Sequence, residues 1–356
     1  MIGRDFHRAY ARVFSVWVRA IARSLPLAPF LYCVKPWREK GFSMSSQPEI
    51  LVITEIPQPM IDVLEQHFVV HKYWLQDPQS FLREHAHSIR GALTRAAKGI
   101  KKDLIEQLPA LEAISGFGVG VDATDLDVCR QRGIKVSNTP RVLNECVADT
   151  GLALMLAVSR KICAADSFAR AGAWESAQFE GAWKMTGKRC GIVGMGNIGH
   201  EVANRAAAFN MPIHYFSPNE AQNSAWTHHT SLIELAKAVD FLVLTLPGGA
   251  DTHHIINREV LEALGPDGIL VNIARGTVVD TEALIAVLQE GKLRGAGLDV
   301  FEKEPHIPAA LMELKNVVLL PHIASNTAET RQAMADLTID NLVQYFNEGK
   351  LLTPVV

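Results

Sequence analysis

Three short segments in the last quarter of the chain each set polar residues behind an apolar run. They are Val271-Asn272-Ile273-Ala274-Arg275-Gly276, Gly297-Leu298-Asp299-Val300-Phe301-Glu302-Lys303-Glu304-Pro305 and Leu320-Pro321-His322-Ile323-Ala324-Ser325. Open α/β sheets build their sites at such strand ends. Arginine offers a planar, permanently charged fork that binds carboxylate and carbonyl oxygens. Histidine titrates near neutrality and can give a proton to a developing alkoxide. A carboxylate beside a histidine orients the ring and favours its charged form. Arg275, His322 and Glu304 therefore make the set that hydride reduction of a 2-oxo acid requires. Singly each has a plainer reading: Arg275 in a surface ion pair, Glu304 as a solvated loop acid, His322 as a capped core histidine.

A hydride donor would bind at Cys190-Gly191-Ile192-Val193-Gly194-Met195-Gly196-Asn197-Ile198-Gly199, a G-x-G-x-x-G run between an expected strand and an expected helix. Gly194 permits the tight turn, Gly196 the backbone's approach to a pyrophosphate, and Gly199 close helix–strand packing. The helix N-terminus adds free N–H groups and a positive dipole end. The following strand, Pro212 to Phe216, runs into Ser217-Pro218-Asn219, with the first acid only at Glu220. No carboxylate there bars a 2′-phosphate and no arginine follows to bind it. The expected cofactor is NADPH or NADH, with a lean towards NADPH; the alternative is that Ser217 and Asn219 are turn residues that discriminate little.

These residues need a scaffold of parallel α/β units, and the chain alternates apolar runs with segments of helical length from about residue 49. Strands are expected at Ile50–Thr54, Gly91–Thr94, Leu111–Ser115 and Lys135–Ser137. A second series covers Arg189–Val193, Pro212–Phe216, Phe241–Leu246, Ile269–Ile273, Gly295–Leu298 and Val317–Leu320. Val147 to Arg170 reads as one central helix, and a last helix runs from about Asn326 to Phe346. The fingerprint opens the second series, so a Rossmann domain inserted into another α/β domain explains the order, with the last helix returning to the first. The expected division is 44–146 with 324–356 as one domain and 147–323 as the other.

At 356 residues two domains are the natural expectation. A net charge of −3 gives no global case for nucleic acid or membrane binding. The five cysteines form no C-x-x-C pair, which suggests neither a disulfide framework nor a zinc site and fits a reducing cytoplasm. The histidine pairs His228-His229 and His253-His254 have no acidic partner at ligand spacing, so no metal is expected. Residues 1–43 differ, with eight Lys/Arg against Asp5 and Glu39. This basic extension is read either as a targeting or surface-binding segment or as the product of a start assigned too early, with Met44 the first residue. Its apolar stretch is broken by Arg19, Arg23 and two prolines, too weak for a membrane span.

Through the ordered set Arg275, Glu304-Pro305 and Pro321-His322, the chain from about residue 49 to its end resembles the D-isomer-specific 2-hydroxyacid dehydrogenases. The resemblance implies two Rossmann-like domains, the dinucleotide-binding one inserted into a discontinuous flavodoxin-like substrate domain. It implies that Arg275 binds substrate, that His322 is the acid/base and that Glu304 is its partner. Backbone amides in Gly118-Val119-Gly120-Val121-Asp122, Val119 and Gly120 above all, would cradle the substrate carboxylate; the plain alternative is a glycine-rich turn. Implied cofactor contacts are Asn197, Ile198, Ile273, Ala274, Arg275, Asp299, His322 and Ala324. The resemblance also implies a homodimer, with Trp174 either near the partner's active site or in the dimer core.

Gly118–Asp122, Ile256-Asn257-Arg258-Glu259 and the ending Leu351–Val356 resemble the glyoxylate/hydroxypyruvate reductases within that family. That subgroup often carries a Ser-Arg pair where this chain has Ser217-Pro218, which leaves the cofactor preference open. Phosphoglycerate and phosphite dehydrogenases are the alternatives inside the superfamily. Formate enzymes use an amide where Glu304 stands, which argues against them. A nucleotide-sensing corepressor-like protein of the same fold is the rival from another class.

Overall fold

The computed structural model describes residues 47–220 and 225–356, so the expectations for residues 1–43 lie outside the described residues. Two parallel sheets carry the fold. The first contains β1 (Glu49–Val52), β2 (Val69–Lys72), β3 (Ile89–Arg95), β4 (Ala113–Phe117) and β5 (Lys135–Ser137), in the order β2-β1-β3-β4-β5. This is the flavodoxin-like order. The second contains β6 (Cys190–Val193), β7 (Ile213–Phe216), β8 (Thr227–His229), β9 (Phe241–Leu244), β10 (Ile269–Asn272), β11 (Gly295–Leu298) and β12 (Val317–Leu319). Its order is β12-β11-β10-β9-β6-β7-β8, so the chain leaves β6 towards β7 and later returns to its other side as β9. That reversal opens a crevice beyond the carboxyl end of β6, the place where such sheets bind ligands.

The central strands β6, β9, β10 and β11 are buried along their whole length. Covered on both faces, they read as the apolar runs expected from the sequence. Helix Asn144–Ser159 ties the sheets together. Its Ala148, Leu152, Met155 and Val158 share one core with Val202, Ala203 and Ala206 of helix Asn197–Ala208 and with Val52 and Leu93 of the first sheet. Each fully buried Leu, Ile, Val or Met in that core contributes about 1.5–3 kcal/mol. The last helix, Ala328–Glu348, returns to the first sheet: Ser115 Oγ donates to Thr338 O at 2.9 Å, and the Phe68 and Phe346 rings meet edge-on at 5.7 Å.

Three expectations are corrected. The single helix over Val147–Arg170 is two, Asn144–Ser159 and Ile162–Arg170, because Lys161 takes a left-handed φ of 53° between them. There Lys161 pairs with Glu180 at 2.7 Å and lies 5.2 Å from the Trp183 ring centroid, so side-chain contacts hold the break. β2 and β8 were not expected. Both are edge strands, and Val69-Val70-His71-Lys72 and Thr227-His228-His229 carry too few apolar residues to register as runs.

Candidate active site

Glycines shape the floor of the crevice. Gly194 has φ of 98°, and a Cβ there would meet the Leu246 backbone N at 2.8 Å. At Gly199 a Cβ would stand 2.3 Å from Gly194 O, whereas a Cβ on Gly196 would face open space. The first backbone bond of the following helix runs from His200 N–H to Gly196 O at 2.9 Å. The amides of Asn197, Ile198 and Gly199 come before that bond, at the positive end of a twelve-residue helix. This cradle fits the pyrophosphate of a dinucleotide.

One large cleft, about 1620 Å³, is lined by Val119, Gly120, Gly196, Asn197, Ile198 and Ile273, and equally by Ala274, Arg275, Asp299, Glu304, His322 and Ala324. Twelve of the residues singled out in the sequence thus meet in one place. Gly194 and Gly199 support the turn from beneath. Ser217, Pro218 and Asn219 stand outside this lining, at the end of β7, with Pro218 and Asn219 exposed.

Arg275 follows β10. Its Nη1 donates to Ala274 O at 2.7 Å and its Nε donates to Asp122 Oδ1 at 3.2 Å. Nη2 lies over Gly120, where a Cβ would come within 1.6 Å of it. A bare backbone at Gly120 is what lets the guanidinium approach this loop.

His322 stands after β12 with φ of 53°, held in that turn by Asp299. Its N–H donates to Asp299 O at 2.9 Å, while the Asp299 side chain accepts the Ile323 N–H at 2.7 Å and the Ala324 N–H at 2.9 Å. Burial holds the Asp299 carboxyl above its ordinary range, and those two amides offset part of that rise. His322 Nδ1 meets Glu304 Oε2 at 2.7 Å, and Glu304 Oε1 accepts the Phe301 N–H at 3.1 Å. Burial alone would raise the Glu304 carboxyl, but the hydrogen bond and charge of His322 outweigh it and hold it below the usual carboxylate range. Glu304 is thus an anion at neutral pH. With Nδ1 engaged, Nε2 is the ring nitrogen left to face a substrate.

Asp122 as the partner of Arg275, and Asp299 as the anchor of the His322 turn, were not foreseen as such. Asp122 comes from the other sheet, and no spacing rule links it to Arg275. The reading that the histidine pairs lack an acidic partner is corrected at one of them: Glu302 Oε1 lies 2.6 Å from His254 Nε2, across 48 residues of sequence. With His253 these side chains form a group whose spacing would suit a cation, as do Glu49, His71 and His85. Of the other pair, His229 meets His214 at 3.0 Å and His228 meets Ser217 O at 3.1 Å.

Residues 152–324 match the model of the D-isomer specific 2-hydroxyacid dehydrogenase NAD-binding domain. The chain is 49% identical to hydroxyphenylpyruvate reductase of Plectranthus scutellarioides, over 84% of this chain and 97% of that protein. It is 44% identical to a glyoxylate/hydroxypyruvate reductase of Arabidopsis thaliana, over 86% of this chain and 98% of the relative. A crystal structure of an NADPH-dependent glyoxylate/hydroxypyruvate reductase from Sinorhizobium meliloti, in complex with NADP and malonate, superposes with a TM-score of 0.82. That match is at 38% identity and covers 87% of this chain and 97% of the other.

Proposed function

The chain belongs to the D-isomer-specific 2-hydroxyacid dehydrogenases, NAD(P)-dependent oxidoreductases, and we propose that it reduces a small 2-oxo acid of the glyoxylate or hydroxypyruvate kind to the D-2-hydroxy acid. The observation that carries this reading is that Arg275 and the Glu304–His322 pair, from three separate strand ends, line the same cleft as the dinucleotide turn. Reduced NAD(P), when bound, supplies the hydride that adds to the carbonyl carbon. Arg275 binds the substrate carboxylate and carbonyl oxygen, aided by the amides of Val119 and Gly120. His322 gives the proton from Nε2 to the carbonyl oxygen, and Glu304 holds the ring by Nδ1.

In this reading Gly194, Gly196, Asn197, Ile198 and Gly199 hold the pyrophosphate, Ser217, Pro218 and Asn219 flank the adenosine ribose, and Ile273, Ala274, Asp299 and Ala324 line the nicotinamide side. The substrate domain comprises 44–146 and 324–356, and the cofactor domain 147–323. The protein acts as a homodimer: Trp174 is 75% exposed, and the neighbouring helix Ile162–Arg170 buries none of its residues within this chain. A cytoplasmic location completes the proposal, supported by the free thiols of all four described cysteines. No helix among the described residues is long and apolar enough to cross a membrane.

The test is oxidation of NADPH and NADH, followed by absorbance, with glyoxylate and hydroxypyruvate as acceptors. Turnover with either acceptor supports the reductase. Tight nucleotide binding without turnover of any 2-oxo acid would instead fit a nucleotide-sensing protein.

A further inference from the structure

Two arginines that line the cleft have no anion of their own among the described residues. Arg95 ends β3 and Arg331 sits early in helix Ala328–Glu348, and both line the cleft that holds Arg275 and His322. The Arg331 guanidinium lies 5.5 Å from the centroid of the Phe117 ring, and Phe117 directly opposes Arg95 across β3 and β4. Arg331 Nε donates to Asn326 Oδ1 at 3.1 Å, a neutral acceptor and its one side-chain hydrogen bond among the described residues. Among the described residues neither arginine has a carboxylate within ion-pair distance. Five acids of the same cleft are engaged elsewhere: Asp122 with Arg275, Asp125 with the Lys102 amide, Asp127 with Arg130, Asp299 with two amides and Glu304 with His322, while Glu55 and Asp251, which also line it, pair with neither arginine.

A half-buried cation facing a second cation is unfavourable unless an anion joins them. Burial first, and Arg95 second, work against the charge on Arg331. Arg275 already serves the carboxylate next to the reacting carbonyl, so a second anion must come from the far end of the substrate. We propose, on the basis of the reductase reading above, that the preferred substrates are 2-oxo acids with a second, distal carboxylate, bound between Arg95 and Arg331. The guanidinium forks suit a carboxylate bidentately, and the Phe117 ring holds Arg331 in place.

The experiment compares matched substrates that differ only in the distal group: oxaloacetate with 2-oxobutyrate, and 2-oxoglutarate with 2-oxovalerate. The readout is the ratio of kcat/KM within each pair, measured with NADPH for the wild type, Arg331→Gln and Arg95→Gln. A distal charge-assisted contact predicts a wild-type ratio of about tenfold or more in at least one pair, with a collapse towards unity in both variants. A wild-type ratio near one in both pairs, or a ratio kept in either variant, overturns the proposal. Because Arg95 is exposed, its substitution tests the site without disturbing the core. A wild type that turns over no 2-oxo acid at all, glyoxylate included, refutes the reductase reading instead, so the two failures are distinct.

Discussion

Asp122 Oδ1 lies 3.2 Å from Arg275 Nε, an ion pair that joins the loop after β4 in one sheet to the end of β10 in the other. Both side chains are about a quarter exposed, so solvent reaches the pair without dissolving it. Nε is spent on Asp122 and one Nη1 hydrogen on Ala274 O, so the second Nη1 N–H and the two of Nη2, above Gly120, are the donors left for an incoming carboxylate. The proposed substrate site thus draws on both sheets, with Arg275 where they meet.

Arg275→Ala is expected to lower kcat/KM for 2-oxo acid reduction by roughly a hundredfold or more. A charged partner left without its fork costs on the order of 3–5 kcal/mol. Arg275→Lys should recover little, because a point charge cannot copy the fork. Cofactor affinity, measured by fluorescence titration with NADPH, should stay close to the wild type. Near wild-type turnover in Arg275→Ala would remove the assigned role.

Gly120→Ala probes the same contact from the other side. A Cβ 1.6 Å from Arg275 Nη2 forces the guanidinium to move while the surrounding backbone can stay. The expected result is a KM for 2-oxo acid raised about tenfold or more, with little change in melting temperature, since a side-chain tip can shift at small cost. An unchanged KM would mean that Nη2 does not serve the substrate.

Much of this site was legible before the fold was known, for definite reasons. Arg275, Glu304 and His322 each follow a run of apolar residues; the strands before Arg275 and Glu304 are buried on both faces and announce their own ends, while the half-buried edge strand before His322 is still all apolar. Gly194, Gly196 and Gly199 carry their spacing in consecutive sequence. Asp122, Asp299, Arg95 and Arg331 carry no such signal, because their roles arise from contacts across sheets or across tens of residues. The same holds for Glu302 beside His254. The edge strands β2 and β8 were missed because each holds too few apolar residues to register as a run, and the break at Lys161 because nothing local to Ser159-Arg160-Lys161 forbids a helix.

Glu304→Gln tests the acid/base pair through pH. The Glu304 carboxyl is held low by His322 despite its burial, so the wild type keeps a full negative charge 2.7 Å from Nδ1 across the neutral range. Reduction needs the imidazolium form, and an amide no longer favours it over the neutral ring. The alkaline limb of the kcat/KM profile for reduction should therefore move to lower pH in Glu304→Gln. For oxidation of the D-2-hydroxy acid, which needs the neutral ring, the acid limb should move the same way. Superimposable profiles would separate Glu304 from His322.

Asp299→Ala should injure both stability and catalysis. The Ile323 and Ala324 amides lose the acceptors that fix the His322 turn, and each buried donor left unpaired costs about 1–3 kcal/mol. A fall in melting temperature of several degrees is expected, together with a drop in kcat. Asp299→Asn, which keeps one oxygen, should fall between the two. If Asp299→Ala melts with the wild type, the carboxylate does not hold the turn.

The cofactor preference rests on the end of β7, where Ser217 is partly buried and Pro218 and Asn219 are exposed, with no acid before Glu220. A carboxylate at this point accepts the ribose 2′-OH and repels a 2′-phosphate, so its absence leaves NADPH at least as acceptable as NADH. No arginine follows to bind the phosphate, which removes roughly 1.5–3 kcal/mol of discrimination in favour of NADPH. His228 Nε2 lies 3.1 Å from Ser217 O at this strand end. NADPH should accordingly be used at least as well as NADH, by a margin well short of that seen where a paired arginine is present. Ser217→Asp should reverse the order by adding the 2′-OH acceptor and the repelling charge together. The two ratios of kcat/KM, NADPH over NADH in the wild type and in Ser217→Asp, decide the matter. A wild type with a strong preference for NADH would place another acid at the ribose, Glu220 being the one in sequence reach.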